Sequence, residues 1–391
     1  MGFFGKIKKL FKKDEPSEKL QAYIIYTTKR EFNLDKILQD LNIKANFENN
    51  PSKMQLSYKA IVNGSDITIS HLDRNFPETF GQISGLTGYI MQVLKPKAMS
   101  NRLYDLFTKI SQMNHMISIV VKPDDRNNVG MDLTIKLLSE LKGILFYEGI
   151  IIDHNMSVYL GENDKHEEKA GLYFYESSKT RKANTIKLLA EEDFRIMEHL
   201  PTVISDEEVN LREPAEVARR AIIISLLVSR AEGLDLTEVI KLLEKYHLTE
   251  YLSEKEKEFL AKQNHEKQEI INTVWRFESA NTLFWSLGLV EKLDFPNKAC
   301  NPEDILELIR QKTPEKIIAN AKLISTNKIL DQLDLTYRLH WWAVDRRVKE
   351  SRIETKADEK IDEGVVYERH YALNWLTWSG NNDWDNVKTE T

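Results

Sequence analysis

The sequence predicts an α+β two-domain protein: an N-terminal α/β domain built on a mixed sheet, then an all-α helical domain. Three observations predict it. Strand-like and helix-like stretches alternate from about Gln21 to Ser178. From about Lys179 onward only helical periodicity remains. A chain of 391 residues also has room for two domains of ordinary size. The expected division is a leader at 1–19, an α/β domain at 20–178, a connecting helical segment at 179–211 and an all-α domain at 212–391.

The leader reads "MGFFGKIKKLFKKDEPSEK". Phe3, Phe4, Ile7, Leu10 and Phe11 share one helical face, and Lys6, Lys8, Lys9, Lys12 and Lys13 fill the other. That pattern makes a short basic amphipathic helix, suited to weak contact with a membrane surface or a partner. The plainer reading is a solubilising leader, because so short a helix is marginal alone in water. Gly2 would suit myristoylation, but Lys6 stands where that motif needs Ser or Thr.

In the α/β region "AYIIYTT" reads as a strand and "LDKILQDL" as a short helix. "KMQLSYKAIV" and "DITISHL" read as a hairpin about Asn63-Gly64, a strong turn signal. "FGQISGLTGYIMQVL" and "NRLYDLFTKISQM" read as helices. "MISIVVKP", "MDLTIKLLSELKG" and "GILFYEGIII" read as strand, helix and strand, and "SVYLG" and "GLYFYES" as closing strands. No phosphate-binding glycine loop follows a strand, so no nucleotide site is expected.

The helical region starts with "SKTRKANTIKLLAEEDFRIMEHL" as a connecting helix. "SDEEV" looks like a helix start, with Ser205 as cap and Glu208 three residues on. Pro214 suits the first turn of the next helix, and Gly233 is a natural stop. "SEKEKEFLAKQNHEKQEIINTVWRFESANTLFWSLGLV", "PEKIIANAKLISTNKILDQLDLTYRLHWWAVDRRVKE" and "GVVYERHYALNWLTW" follow as long helices. The polar tail from Ser379 to Thr391 is expected to be loosely ordered.

Composition excludes several function classes. A net charge of −6 gives no general attraction to nucleic acid or anionic membrane. Cys300 is the single cysteine, so neither an intrachain disulfide nor a thiolate zinc site can form, and a reducing cytoplasm is the expected setting. The longest apolar run, Ala221–Val228, is far shorter than the roughly 20 residues of a membrane span. No secretory signal is evident.

Three helical stretches mix charge with aromatic surface. In the first, Ile271, Val274, Trp275, Glu278, Asn281 and Trp285 fall on or near one stripe. In the second, Arg338, Trp342, Asp345 and Arg346 align, beside Tyr337, Trp341, Val344 and Val348. In the third, Val366, Arg369, Leu373 and Leu376 align, with Glu368, Ala372 and Trp375 on the neighbouring face. Buried charge is costly unless paired. Glu278, Arg338, Asp345 and Arg369 are therefore expected to share one ion-pair network walled by tryptophan. Such a network can be purely structural, or it can line a pocket for an anionic ligand, a peptide or a base. His340, His370, Asp345, Glu368 and Glu278 match no spaced metal-ligand motif, and Glu368 and His370 should point to different helix faces. Cys300 lies just before a helix start, where a thiol can be activated, although a bland buried role is the simpler reading. The remaining histidines, at 71, 115, 154, 166, 199, 247 and 265, form no cluster in sequence.

"ARRAIIISLLVSRAEG", "WRFESANTLFWSLGLVEKLDFPNKAC", "LDLTYRLHWWAVDRR", "GVVYERHYALNWL" and "DWDNVKTET", in that order, resemble the bacterial domain-of-unknown-function family 4272. The resemblance covers roughly Arg212 to Thr391. It carries over Trp275, Arg276, Glu278, Leu287, Gly288, Leu289, Arg338, His340, Trp341, Asp345, Arg346, Glu368, Arg369, His370, Asn374 and Trp375. It implies no activity, ligand or catalytic residue. The reading that follows is a soluble, cytoplasmic, non-enzymatic module that binds another protein, with no cofactor, metal or nucleic acid. The alternative is an enzyme or small-ligand binder, for an anion or for metal-assisted hydrolysis. It would use Arg276, Glu278, Arg338, His340, Trp341, Asp345, Arg346, Glu368, Arg369, His370 and Trp375.

Overall fold

The computed structural model describes residues 21–391 apart from 51–54, 63–64, 75–76, 97–99, 122–127, 351–359, 379–382 and 390. The leader, with Phe3, Phe4, Ile7, Leu10 and Phe11, lies outside the described residues, as does the Asn63-Gly64 turn. The chain divides into two compact units, Met1–Tyr173 and Phe174–Thr391.

The first unit is an eight-stranded sheet covered by helices. In chain order its elements are β1 (Gln21–Thr27), α1 (Leu34–Asp40), β2 (Ala45–Asn50), β3 (Gln55–Val62), β4 (Ser65–Asp73), α2 (Pro77–Tyr89), α3 (Asn101–Ser111), β5 (His115–Val121), α4 (Val129–Leu141), β6 (Ile144–Tyr147), β7 (Ile150–Ile152) and β8 (Val158–Leu160). The spatial order is β2-β3-β4-β5-β1-β6-β7-β8. Every neighbouring pair is antiparallel. The sheet is thus antiparallel throughout and not the mixed sheet that the strand–helix–strand pattern suggests, because β1 lies between the two strands of that unit. β5 and β6 run in the same direction on either side of β1 and do not touch each other.

β1 is apolar on both faces because both are covered. Tyr23 and Ile25 enter one core with residues of α1 and α4, while Ile24 and Tyr26 enter the other with residues of α2 and α3. Gly143 precedes β6 where a Cβ would collide with the backbone oxygen of Tyr26, so only glycine admits this approach. α2 runs on into a π-helical turn, Ile90–Leu94, that buries Ile90 and Leu94. Met91 and Val93 on the same turn are 49% and 51% exposed.

Two sheet expectations change. "ANFENN" forms β2, held by its ladder to β3 from Ala45↔Ala60 to Asn50↔Gln55, although Asn and Glu are poor strand formers. "GLYFYES" forms no strand. Residues 171–175 carry no regular structure, and the Gly171 N–H donates to Asp153 Oδ2 at 2.8 Å.

The second unit is helical: α5 (Glu176–Glu191), α6 (Pro214–Ala231), α7 (Leu236–Lys245), α8 (Glu254–Ala261), α9 (Lys267–Ser286), α10 (Pro302–Lys312), α11 (Pro314–Ala319), α12 (Thr326–Glu350) and α13 (Glu363–Leu376). α6 takes Pro214 in its first turn. It buries Ala221, Ile222, Ile223, Ile224, Leu227 and Val228, which suits a helix apolar on most sides. α9 packs on α6 and on α13, and α13 on α12. "SDEEV" makes one turn rather than a helix, although the Ser205 N–H does donate to Glu208 Oε2 at 3.2 Å. The long "SEKEK…" stretch is two helices, α8 and α9. A Ser253–Glu256 capping box starts α8.

Candidate functional site

The charged tryptophan helices meet where α9 crosses α13. A Cβ on Gly364 would strike the Trp275 ring, so that glycine lets the helices approach closely. Two ion pairs span the crossing. Arg369 Nε donates to Glu278 Oε2 at 3.3 Å, with the two side chains 3% and 2% exposed. Arg276 Nη1 donates to Glu368 Oε2 at 3.3 Å, and Ser279 Oγ lies 2.6 Å from the same oxygen. The remaining capacity is also used. Arg369 Nη1 donates to the Asp294 carbonyl at 2.6 Å, and the Cys300 N–H donates to Glu278 Oε1. Arg276 lies over the Tyr371 ring, 4.0 Å from its centroid.

Burial raises the Glu368 carboxyl above its ordinary value, against the pull of Arg276 and Ser279. Burial, with Glu278 beside it, pushes the Cys300 thiol up. Cys300 is therefore not an activated nucleophile, despite its place before α10.

One residue beyond Arg369 on α13, His370 meets His340 of α12, Nδ1 to Nδ1 at 2.9 Å. The partners fix both tautomers. Asn374 Nδ2 donates to the Lys388 carbonyl at 2.8 Å and to His370 Nε2 at 3.1 Å. His370 therefore carries its hydrogen on Nδ1 and donates it to His340 Nδ1, which leaves the His340 hydrogen on Nε2. Burial, with Arg347 second, holds His340 down at about 4, and burial with His340 beside it lowers His370 as well. Both rings are neutral at pH 7. Glu368 and His370 do face different neighbours, as their spacing requires.

The second stretch does not join one shared network. Arg338 is fully buried but bonds Asp334 one turn back on its own helix, at 2.7 and 2.9 Å. Asp345 pairs with Lys349 at 2.6 Å, and its side chain is 29% exposed. Arg346 lies 5.4 Å from the Trp342 ring, which packs edge-on against Phe194. Trp341 is half-buried.

Trp375 belongs to an aromatic and arginine stack that the spacing did not reveal. The Arg212 guanidinium lies 4.2 Å from the Trp375 ring and 3.7 Å from the Trp378 ring, and its Nε donates to the Trp375 carbonyl at 2.7 Å. Arg220 grips both oxygens of Glu256 at 2.7 Å and donates to the Tyr251 carbonyl at 2.8 Å. The polar tail returns to complete the stack. Trp384 is 6% exposed, set edge-on against Tyr371 and Trp375. Tyr371 Oη donates to its carbonyl. Asp385 accepts from Ser253 Oγ at 2.6 Å and from the Lys255 N–H at 3.0 Å, at the start of α8. The described part of the tail is thus docked rather than loose. The one sequence signal was its tryptophan among polar residues.

Among the described residues, no three His, Cys, Asp or Glu side chains gather as a metal-binding group, and no helix is long and apolar enough to cross a membrane. No curated protein and no solved structure matches the chain. One family model does, that of Domain of unknown function (DUF4272), over residues 181–387. The match opens on Arg181, which ties α5 to Asp206 at 2.7 Å and to Asp331 of α12 at 2.8 Å. It runs through both ion pairs, the histidine pair and Trp384. More than half of the chain is covered, and the chain belongs to the DUF4272 family.

Proposed function

We propose that the chain is a non-enzymatic module of the cytoplasm that binds another protein. The observation that carries this reading is the closed state of the charged core. Glu278, Glu368, Arg369, His340 and His370 are each at most 5% exposed and bonded to one another, to Ser279 and Arg276, or to nearby backbone. Groups arranged in this way hold helices in register, as a scaffold does. A docking surface is offered elsewhere, by the exposed Met91 and Val93 on the π-helical turn. Such turns often sit at functional places, and methionine adapts to a partner's shape.

The test is native mass spectrometry of the protein purified gently from its own cells. A polypeptide at fixed stoichiometry, lost in Met91→Glu/Val93→Glu, is the expected result. A bound small anion with no polypeptide would favour a ligand site at Arg276 and its neighbours instead. The leader's pattern adds a weak membrane-surface contact to the proposal. Unchanged liposome binding after deletion of residues 2–13 would remove that part.

A further inference from the structure

His71 and His115, 44 residues apart, meet at one end of the sheet with His71 Nε2 and His115 Nδ1 3.1 Å apart. They sit on neighbouring strands, β4 and β5, where Asp73 is the register partner of His115 and His71 that of Ile117. Phe32 walls both rings, with centroid distances of 5.0 and 4.8 Å. Neither histidine is fully buried.

The other nitrogen of His115 decides what the pair can hold. Its Nε2 lies 3.0 Å from the Arg30 carbonyl oxygen, which only accepts. The hydrogen is therefore on Nε2, and Nδ1 presents its lone pair to His71. This is the arrangement by which metal-ligating histidines are oriented: one nitrogen donates to a backbone carbonyl while the other faces the ion. A zinc ion bonded to two nitrogens in tetrahedral geometry sets them about 3.3 Å apart. The observed separation of 3.1 Å is close to that value, and both rings must also turn so that their lone pairs converge on the ion instead of facing each other. His71 needs its hydrogen on Nδ1 rather than Nε2, a change of neutral tautomer that costs the ring no proton. The Asp73 and Arg74 charges both reach His115 and oppose each other, so the pair supplies the ligands without strong help from the surroundings.

His340 and His370 make a useful contrast. Their nitrogens are equally close, but the Asn374 amide hydrogen occupies His370 Nε2, so Nδ1 carries a hydrogen and cannot ligate. Of the two pairs, only His71–His115 has its second nitrogen engaged in the sense a metal requires.

We propose that His71 Nε2 and His115 Nδ1 form a site for a divalent ion of the Zn²⁺ or Ni²⁺ type, with water completing the coordination. Nitrogen ligands of this kind favour those ions over Mg²⁺ or Ca²⁺. The test is calorimetric titration of the full chain with ZnCl₂ and with NiCl₂. One ion per chain is expected, with affinity falling more than about tenfold in His71→Ala and in His115→Ala. His166→Ala, at an exposed histidine, should change nothing. Because either first variant could unfold, histidine ¹⁵N spectra of the unaltered chain give a second reading. On addition of Zn²⁺, the His115 Nδ1 and His71 Nε2 signals should move to metal-bound positions. Equal binding by all variants, or no movement of those two signals, would overturn the proposal.

Discussion

Glu278 and Arg369 are the residues whose loss should be felt most. Their side chains are 2% and 3% exposed, so removing either strands the other's charge in the core. Glu278→Ala or Arg369→Ala is expected to cost about 3–5 kcal/mol in chemical denaturation. A change under about 0.5 kcal/mol would mean that the pair does not hold the crossing together. The buried histidines set a dependence on pH. His340 and His71 both sit at about 4, from an ordinary value of 6.5, so between those limits the unfolded chain binds more protons than the folded one. Stability should then be full above pH 6.5 and be lost as pH falls toward 4, by about 3 kcal/mol for His340 alone. Glu368, raised by burial, acts in the opposite direction. Urea unfolding across this range should show a shallower slope for His340→Gln than for the unaltered chain. At this scale the sequence was informative about burial and poor about partners. Helical spacing placed Glu278, Arg338 and Arg369 inside. Asp345 shares the Arg338 stripe, yet the last turns of α12 reach solvent, with Val348 50% exposed. Nothing in a linear chain says that His340 will find His370, or His71 His115.

At the scale of elements, the docked tail reinforces the Ser253–Glu256 capping box at the start of α8. Asp385 meets the first turn of that helix through Ser253 and Lys255, where unpaired N–H groups and a favourable dipole await a carboxylate. Asp385→Ala should cost about 1 kcal/mol in thermal or urea unfolding, with Trp384→Ala costing about 3–5 kcal/mol because it empties a buried ring site. If both changes were silent, the tail would not be part of the folded unit. Gly143→Ala should also destabilise, since its new methyl would press on the Tyr26 backbone. Helices were legible because apolar spacing is a local signal, and local side-chain caps start several of them. Asn33, Ser100, Asp235, Asn301 and Asp362 all accept from a backbone N–H of the first turn. β2 was not legible, because its pairing with β3 outweighs its own weak propensity. "GLYFYES" misled through alternating aromatics that no neighbouring strand completes.

At the scale of the whole molecule, each of the two units has its own buried apolar clusters, two on the sheet and two among the helices of the described residues. A fragment of residues 174–391 is expected to unfold cooperatively on its own, read by circular dichroism. A featureless, gradual transition would show that the helical unit depends on the other. The sheet makes a demand of a different kind, on time. β1 is made before both of its neighbours, β5 and β6, pairing Gln21 with Val121 and Ile24 with Phe146. As the chain leaves the ribosome, this apolar strand must wait for about a hundred residues of synthesis, roughly 5–20 seconds, before its first partner exists. During that interval "AYIIY" is an unpaired, aggregation-prone edge. The rate of translation from residue 28 to residue 121 sets how long that edge stays unpaired.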